Sequence, residues 1–180
     1  NDKGLMNGQP VEWKTLGEIC EIYGGLTGKN KADFENGNAK YITYKNIFFN
    51  LEVNKNILDK VKISDFENQN IVKYGDVLFT GSSETSNEVG MSCAVTTKFD
   101  EPVYLNSFSF GVRFKKEITL IPEFSKYLFR SKFMRKAISQ TACGVTRYNV
   151  SKRKFKKLLI PIPPLSVQKE IVAILDKFDA

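Results

Sequence analysis

The stretch GVTRYNVSKRKFKKLLIPIPPLSVQKEIVAILDKF, residues 144–178, passes through four kinds of local pattern. Gly144 opens a polar loop through residue 150. Ser151 is a candidate N-cap for a short basic turn, because its hydroxyl can accept from the free amides of a helix start. The run LLIPIPP, residues 158–164, must be extended, since each proline pushes its predecessor out of helical space. After Pro164 the spacing becomes helical. Ser166 can cap the element, and Val167, Ile171, Ile174 and Phe178 follow the 4-3-4 spacing of a coiled-coil seam. The Pro163-Pro164 break and the run to residue 180 favour a protruding helix over one docked on its own domain.

Working outward, SFSFGVRF (107–114) alternates Phe108, Phe110, Val112 and Phe114 with Ser107, Ser109, Gly111 and Arg113. That period of two predicts a strand with one apolar and one polar face. Residues 41–44 (YITY), 77–80 and 91–97 read as further strands, with a tight turn at Gly75-Asp76. Trp13, Leu16, Ile19 and Ile22 recur every three residues, which predicts a short helix running into a strand. Pro122 suits a first helical turn, and Phe124, Tyr127, Leu128, Phe133 and Met134 form that helix's inward side. Lys126, Arg130, Lys132, Arg135 and Lys136 lie around the remainder. Polar loops occupy residues 24–40, 81–90 and 144–150.

With 180 residues the chain is long enough for one self-sufficient core. It has no histidine, which removes the commonest general base and most zinc sites. Cys20, Cys93 and Cys143 are an odd set without a CxxC pair, so they read as reduced thiols of a cytoplasmic protein. No apolar run reaches the ~18 residues of a membrane-spanning helix. The chain opens without Met, and residues 1–10 read as a flexible N-terminal segment. Net charge is +7, but residues 113–157 hold 14 Lys or Arg against Glu117 and Glu123 alone. Such asymmetry points to a polyanion partner.

Three look-alikes fail on chemistry. In residues 24–30 (GGLTGKN) the glycine spacing is one residue short for a phosphate loop, and Asn30 stands where a magnesium-binding hydroxyl is needed. Glu12-Trp13-Lys14 has the tail of a metal nuclease motif without a second carboxylate before it. Residues 162–165 (IPPL) share two prolines with an amino-methyltransferase motif but lack its Asn or Asp. The chain therefore reads as a binder without catalytic residues, metal or cofactor.

Four stretches, in order, resemble a target recognition domain from the specificity subunit of type I restriction–modification systems: WKTLGEICEIYGG, YITYKNI, YGDVLFTGSSETSNEVGMSCAV and residues 144–178. They span residues 11–178. The opening loop GGLTGKN departs from the family in lacking a proline. The resemblance implies two such domains per complete subunit, joined by long antiparallel helices, each reading half of a split duplex-DNA sequence. Methylation and cleavage then belong to separate modification and restriction subunits. Here it implies an α+β fold, with a single globular domain, a twisted and mostly antiparallel sheet flanked by helices, and the start of a spacer helix. Residues 11–164 would be the recognition domain and 165–180 the spacer, whose Val167, Ile171, Ile174 and Phe178 would meet a second recognition domain or a homodimer partner.

Within that reading, Lys126, Arg130, Lys152, Arg153 and Lys156 are candidates for phosphate contacts. Lys29, Lys31, Tyr44, Lys45, Ser82, Ser83, Glu84 and Ser86 are candidates for base readout. So are Asn106, Ser107, Thr146, Arg147, Tyr148 and Asn149, with Arg147 suited to a guanine edge. A protein-interaction adaptor and an RNA-binding module are the alternatives.

Overall fold

The computed structural model describes residues 5–6 and 9–179. The expected flexible segment 1–10 lies partly outside them; within it, β1 (Leu5–Met6) and β2 (Gln9–Pro10) pair antiparallel.

The fold is α+β and is organised by one four-stranded antiparallel sheet. Its order is β4 (Cys20–Gly24), β11 (Ser109–Phe114), β7 (Val77–Thr80) and β9 (Ser92–Ala94). Every residue of β7 and β9 is buried, because apolar clusters cover both sheet faces. Val77, Phe79, Phe110 and Val112 enter the larger cluster, where the Phe79, Phe110 and Phe155 rings meet at 5.1–5.4 Å. Leu78, Cys93, Ile42 and Leu105 enter the second. Burial raises the Cys20 thiol to about 11 and the Cys93 thiol to about 12.

The expected polar face of residues 107–114 is covered rather than solvated. Gly111 leaves room for the Tyr23 ring, which any side chain there would strike. The Tyr23 hydroxyl donates to the buried Asp76, and Arg113 stacks on the same ring while forking onto Asp76 at 2.7 and 2.9 Å. Phe108 has slipped out of the alternation and is 64% exposed, since the strand begins only at Ser109.

Around this sheet, β10 (Val103–Leu105) runs parallel to β5 (Ala39–Ile42), which also pairs antiparallel with β6 (Asp59–Val61). A second small sheet orders β12 (Ala142–Cys143), β13 (Tyr148–Val150) and β8 (Ser82–Ser83). β14 (Leu159–Ile162) pairs with β3 (Glu12–Thr15). The expected opening helix shrinks to the single turn α1 (Leu16–Ile19), because Trp13 belongs to β3, opposite Pro161.

Tyr44 is not in a strand. Thr43 accepts from the Asn46 amide and starts α2 (Tyr44–Phe49). The long helix expected after Pro122 is two: α3 (Pro122–Leu128) and α4 (Lys132–Ser139), the second capped by Ser131. Phe133, expected inward, is 58% exposed and meets the Trp13 ring edge-on. The basic turn is α5 (Lys152–Phe155), capped by Ser151 as expected.

α6 (Leu165–Asp176) starts one residue before Ser166, with Pro164 at its N-cap. It is docked rather than protruding. Gln168 is fully buried, donates to Thr119 O and Pro163 O and accepts from the Ile121 amide. Tyr127 donates to Asp176 at 2.6 Å near the far end. Val167 is core and Ile171 packs on the larger cluster, so of the expected partner seam only Ile174 and Phe178 face outward.

Candidate nucleic-acid interface

Gly81 is where three loops are sewn together. Its amide donates to Phe108 O (2.8 Å), and its carbonyl accepts from the Val150 amide (3.0 Å). A β-carbon at 81 would sit 2.9 Å from Phe108 O, so the seam needs glycine. Segments 81–90, 106–109 and 144–150 therefore emerge side by side. Asn106 adds the end of β5: it donates twice to Ile42 O while its side-chain oxygen holds the Phe108 amide and the Ser109 hydroxyl. At the third loop, Gly144 takes φ 130°, a left-handed value that glycine alone adopts readily.

Between these loops and α2 lies an open cleft of about 420 Å³. Tyr44, Lys45, Ser83, Glu84 and Arg147 line it, together with Phe48, Phe49, Phe108 and Glu88, which the sequence reading missed. Phe48 stacks on Tyr44 at 6.1 Å, and Phe49 is 72% exposed. Tyr44 is fixed by donating to Ser82 O (2.7 Å), and Arg147 reaches Ser82 Oγ at 3.1 Å. A neighbouring hollow, sharing Phe108, gathers Ser82, Ser107, Asn149 and Lys152. The Lys152 ammonium lies over the Phe110 ring, 5.0 Å from its centre, while the residue stays exposed.

Other candidates have their polar groups engaged within the protein. Arg130 donates to Ser92 O, Ile47 O, Phe48 O and Asn50 O at 2.6–3.0 Å. It caps the C-terminal carbonyls of α2, which a helix leaves without internal partners. Arg135 does the same for the second loop, donating to Asn87 O, Val89 O and Gly90 O at 2.6–2.9 Å. Burial lowers both guanidiniums from their ordinary value. Lys126 is buried and pairs with Glu52 at 3.7 Å. Lys29 is clamped between Glu67 (2.5 Å) and Lys62 O (2.7 Å). Asn106, Ser82 and Ser83 are buried framework residues of the loops.

Lys31, Ser86, Thr146, Arg153 and Lys156 are exposed, and Tyr148 is partly so; none of them lines the cleft or its neighbour. Among the described residues no helix is long and apolar enough to cross a membrane.

Residues 10–180 match the family model described as the type I restriction modification DNA specificity domain. The specificity subunit of the Escherichia coli type I restriction enzyme EcoR124I/EcoR124II is 28% identical over 176 residues, covering 94% of this chain and 41% of that one. A putative type I restriction enzyme specificity subunit of Haemophilus influenzae is 27% identical over 177 residues, covering 98% and 39%. The chain thus spans about two fifths of these relatives. Its fold is similar to the HsdS subunit of Thermoanaerobacter tengcongensis (TM-score 0.64, 19% identity, 99% of this chain and 40% of that one). It is also similar to the S subunit of a type I restriction-modification system from M. genitalium (TM-score 0.60, 16% identity, 97% and 40%).

Proposed function

The chain belongs to the type I restriction modification DNA specificity domain family, and from that premise we propose that it reads one half of a split sequence in double-stranded DNA. In this role it makes and breaks no covalent bonds and needs no cofactor. It directs a partner modification subunit, and through it a restriction subunit, to the site. Residues 11–164 are the reading unit. Residues 165–180 begin the spacer, which meets a second recognition domain or a second copy through its outward residues Ile174 and Phe178. The protein works in the cytoplasm, where its DNA and partners are.

One observation carries the reading: segments 81–90, 106–109 and 144–150 converge at Gly81 around a cleft with Lys45 and Arg147 on its walls and Lys152 beside it. Phosphate contacts fall to the outward cations Lys152, Arg153 and Lys156. Base contacts fall to Arg147, Lys45, Glu84, Asn149 and Ser107, with Lys31, Ser86, Thr146 and Tyr148 in reach of a longer duplex. Tyr44, Ser82, Ser83 and Asn106 shape the loops that present them.

Fluorescence anisotropy against duplex pools tests this. If Lys152, Arg153 and Lys156 each neutralise one phosphate, log affinity falls with log salt at a slope of about −3. Retention on single-stranded RNA but not duplex DNA, or no retention of either at low salt, would replace it with the RNA-binding or the adaptor reading.

A further inference from the structure

The cleft combines three kinds of surface. Phe48, Phe49 and Phe108 supply ring carbon; Glu84 and Glu88 supply carboxylates; Arg147 supplies a fork of donors. The carboxylates argue against a phosphate occupant, since like charges repel there. They suit an amino group, and the arginine suits adjacent acceptors. The aromatic wall has no such polar match, and Phe49 and Phe108 leave most of their surface in water.

The major groove of DNA presents the same three kinds of edge: amino donors on cytosine and adenine, paired acceptors on guanine, and one apolar group, the C5-methyl of thymine. The minor groove offers no methyl and one amino donor. Resting on the DNA-binding reading above, we infer that this cleft is a thymine-methyl reader: the Phe49 and Phe108 rings pack on the C5-methyl while Arg147 engages a neighbouring guanine.

The wall is built to hold shape rather than to wedge between bases. At one end Phe49 packs edge-on against Phe48 (5.0 Å), which lies on Tyr44, tied through its hydroxyl to Ser82 O; at the other the Phe108 backbone is held by the Gly81 amide and by Asn106. A surface fixed at both ends can press on a small apolar group at one base position. Neither exposed ring belongs to the buried core, so either can be truncated without unfolding the chain.

The test starts by enriching bound duplexes from a random pool with the full chain. The enriched duplex is then rebuilt with deoxyuridine at single thymine positions, which removes the methyl and nothing else. One position is expected to lose about fourfold in affinity, the worth of one buried methyl. In Phe108→Ala or Phe49→Ala that penalty disappears, while thymine and uracil duplexes bind alike. The inference is overturned by an enriched half-site without thymine, by uracil duplexes that bind as tightly as thymine ones, or by a penalty that survives in both variants. Equal weakening of both duplexes by Phe108→Ala would mark a wedge and also overturn it. A pool that yields no enrichment overturns the DNA-binding reading itself, and this inference with it.

Discussion

Arg130 and Arg147 carry the same guanidinium and lie in one basic stretch of sequence, yet they face opposite ways. Arg130 sits between α3 and α4 and spends its donors on four backbone carbonyls. Arg147 sits on a loop tip, exposed, with one long contact to Ser82. Arg135 sides with the first, and Lys152 and Arg153 with the second. Arg130 and Arg135 hold the cleft-forming segments from behind, whereas Arg147, Lys152 and Arg153 meet the outside. Charge density alone does not separate these duties. Packing does, because a cation surrounded by orphaned carbonyls satisfies them at short range without a carboxylate.

The largest test of that division is Arg130→Ala. Four carbonyls lose their donor, and the cost is expected at about 3 kcal/mol or more, read as a lower denaturation midpoint. Arg130→Lys restores little, because an ammonium cannot span the same fork. Folded Arg130→Ala should bind DNA with an unchanged salt slope. If instead stability holds and the slope drops, Arg130 belongs with the outward group and the comparison collapses.

Arg147→Ala should do the reverse. Discrimination between the preferred duplex and one with guanine replaced is expected to shrink by about 1–3 kcal/mol, with stability unchanged to within about 0.5 kcal/mol. Competition anisotropy and a melting curve read the two halves. Loss of affinity for all duplexes alike would make Arg147 a phosphate contact.

How much of this the sequence could reveal depends on the kind of signal. Elements closed by local chemistry were legible: the Ser151 cap, the Pro122 start, the extended 159–162 strand and the helix after Pro164. Tyr44 was misread because YITY has strand-forming side chains, whereas Thr43 capping the Asn46 amide is a contact that side-chain propensity does not contain. The polar face failed at Gly111 and Arg113 because Tyr23 and Asp76, distant in sequence, cover it, and at Ser109 because the neighbouring Asn106 side chain claims its hydroxyl. For the interface, loops 81–90 and 144–150 were found, but segment 106–109 was read as part of a strand, loop 24–40 does not line the cleft, and the aromatic wall was missed. Phe48 and Phe49 lie on a helix that the sequence reading did not identify, so their place on the cleft wall had no signal in the sequence. No sequence pattern distinguishes Arg130 from Arg147, since the carbonyls that claim Arg130 lie some 40 to 80 positions away.

Smaller effects come from the outward turn. Lys152→Ala and Arg153→Ala should each lower the magnitude of the salt slope by about 0.9, weakening all duplexes equally. Neither should alter preference, since phosphate contacts carry no sequence information. A change of preference in Lys152→Ala would move that residue, through its shared hollow with Phe108 and Asn149, into base readout.

Lys29 gives the finest test, because it lies on a loop expected to read bases yet behaves like an inward cation. Its partner Glu67 also accepts from Gln69 (2.8 Å) and the Ser64 amide (2.7 Å), and these hydrogen bonds, Gln69 first, lower its carboxyl to about 2 from 4.5. A depressed folded value stabilises the native loop above pH 4.5 and loses that contribution as pH falls from 4.5 toward 2. The melting-temperature gap between the native chain and Glu67→Gln should therefore narrow across that window, with amide-exchange protection of Ser64 falling in parallel. A gap that stays constant down to pH 2 would mean that neutral hydrogen bonds hold the loop and that Lys29 is free to turn outward. In that case Lys29→Ala would lower the DNA salt slope as Lys152→Ala does, whereas a clamped Lys29 leaves the slope untouched.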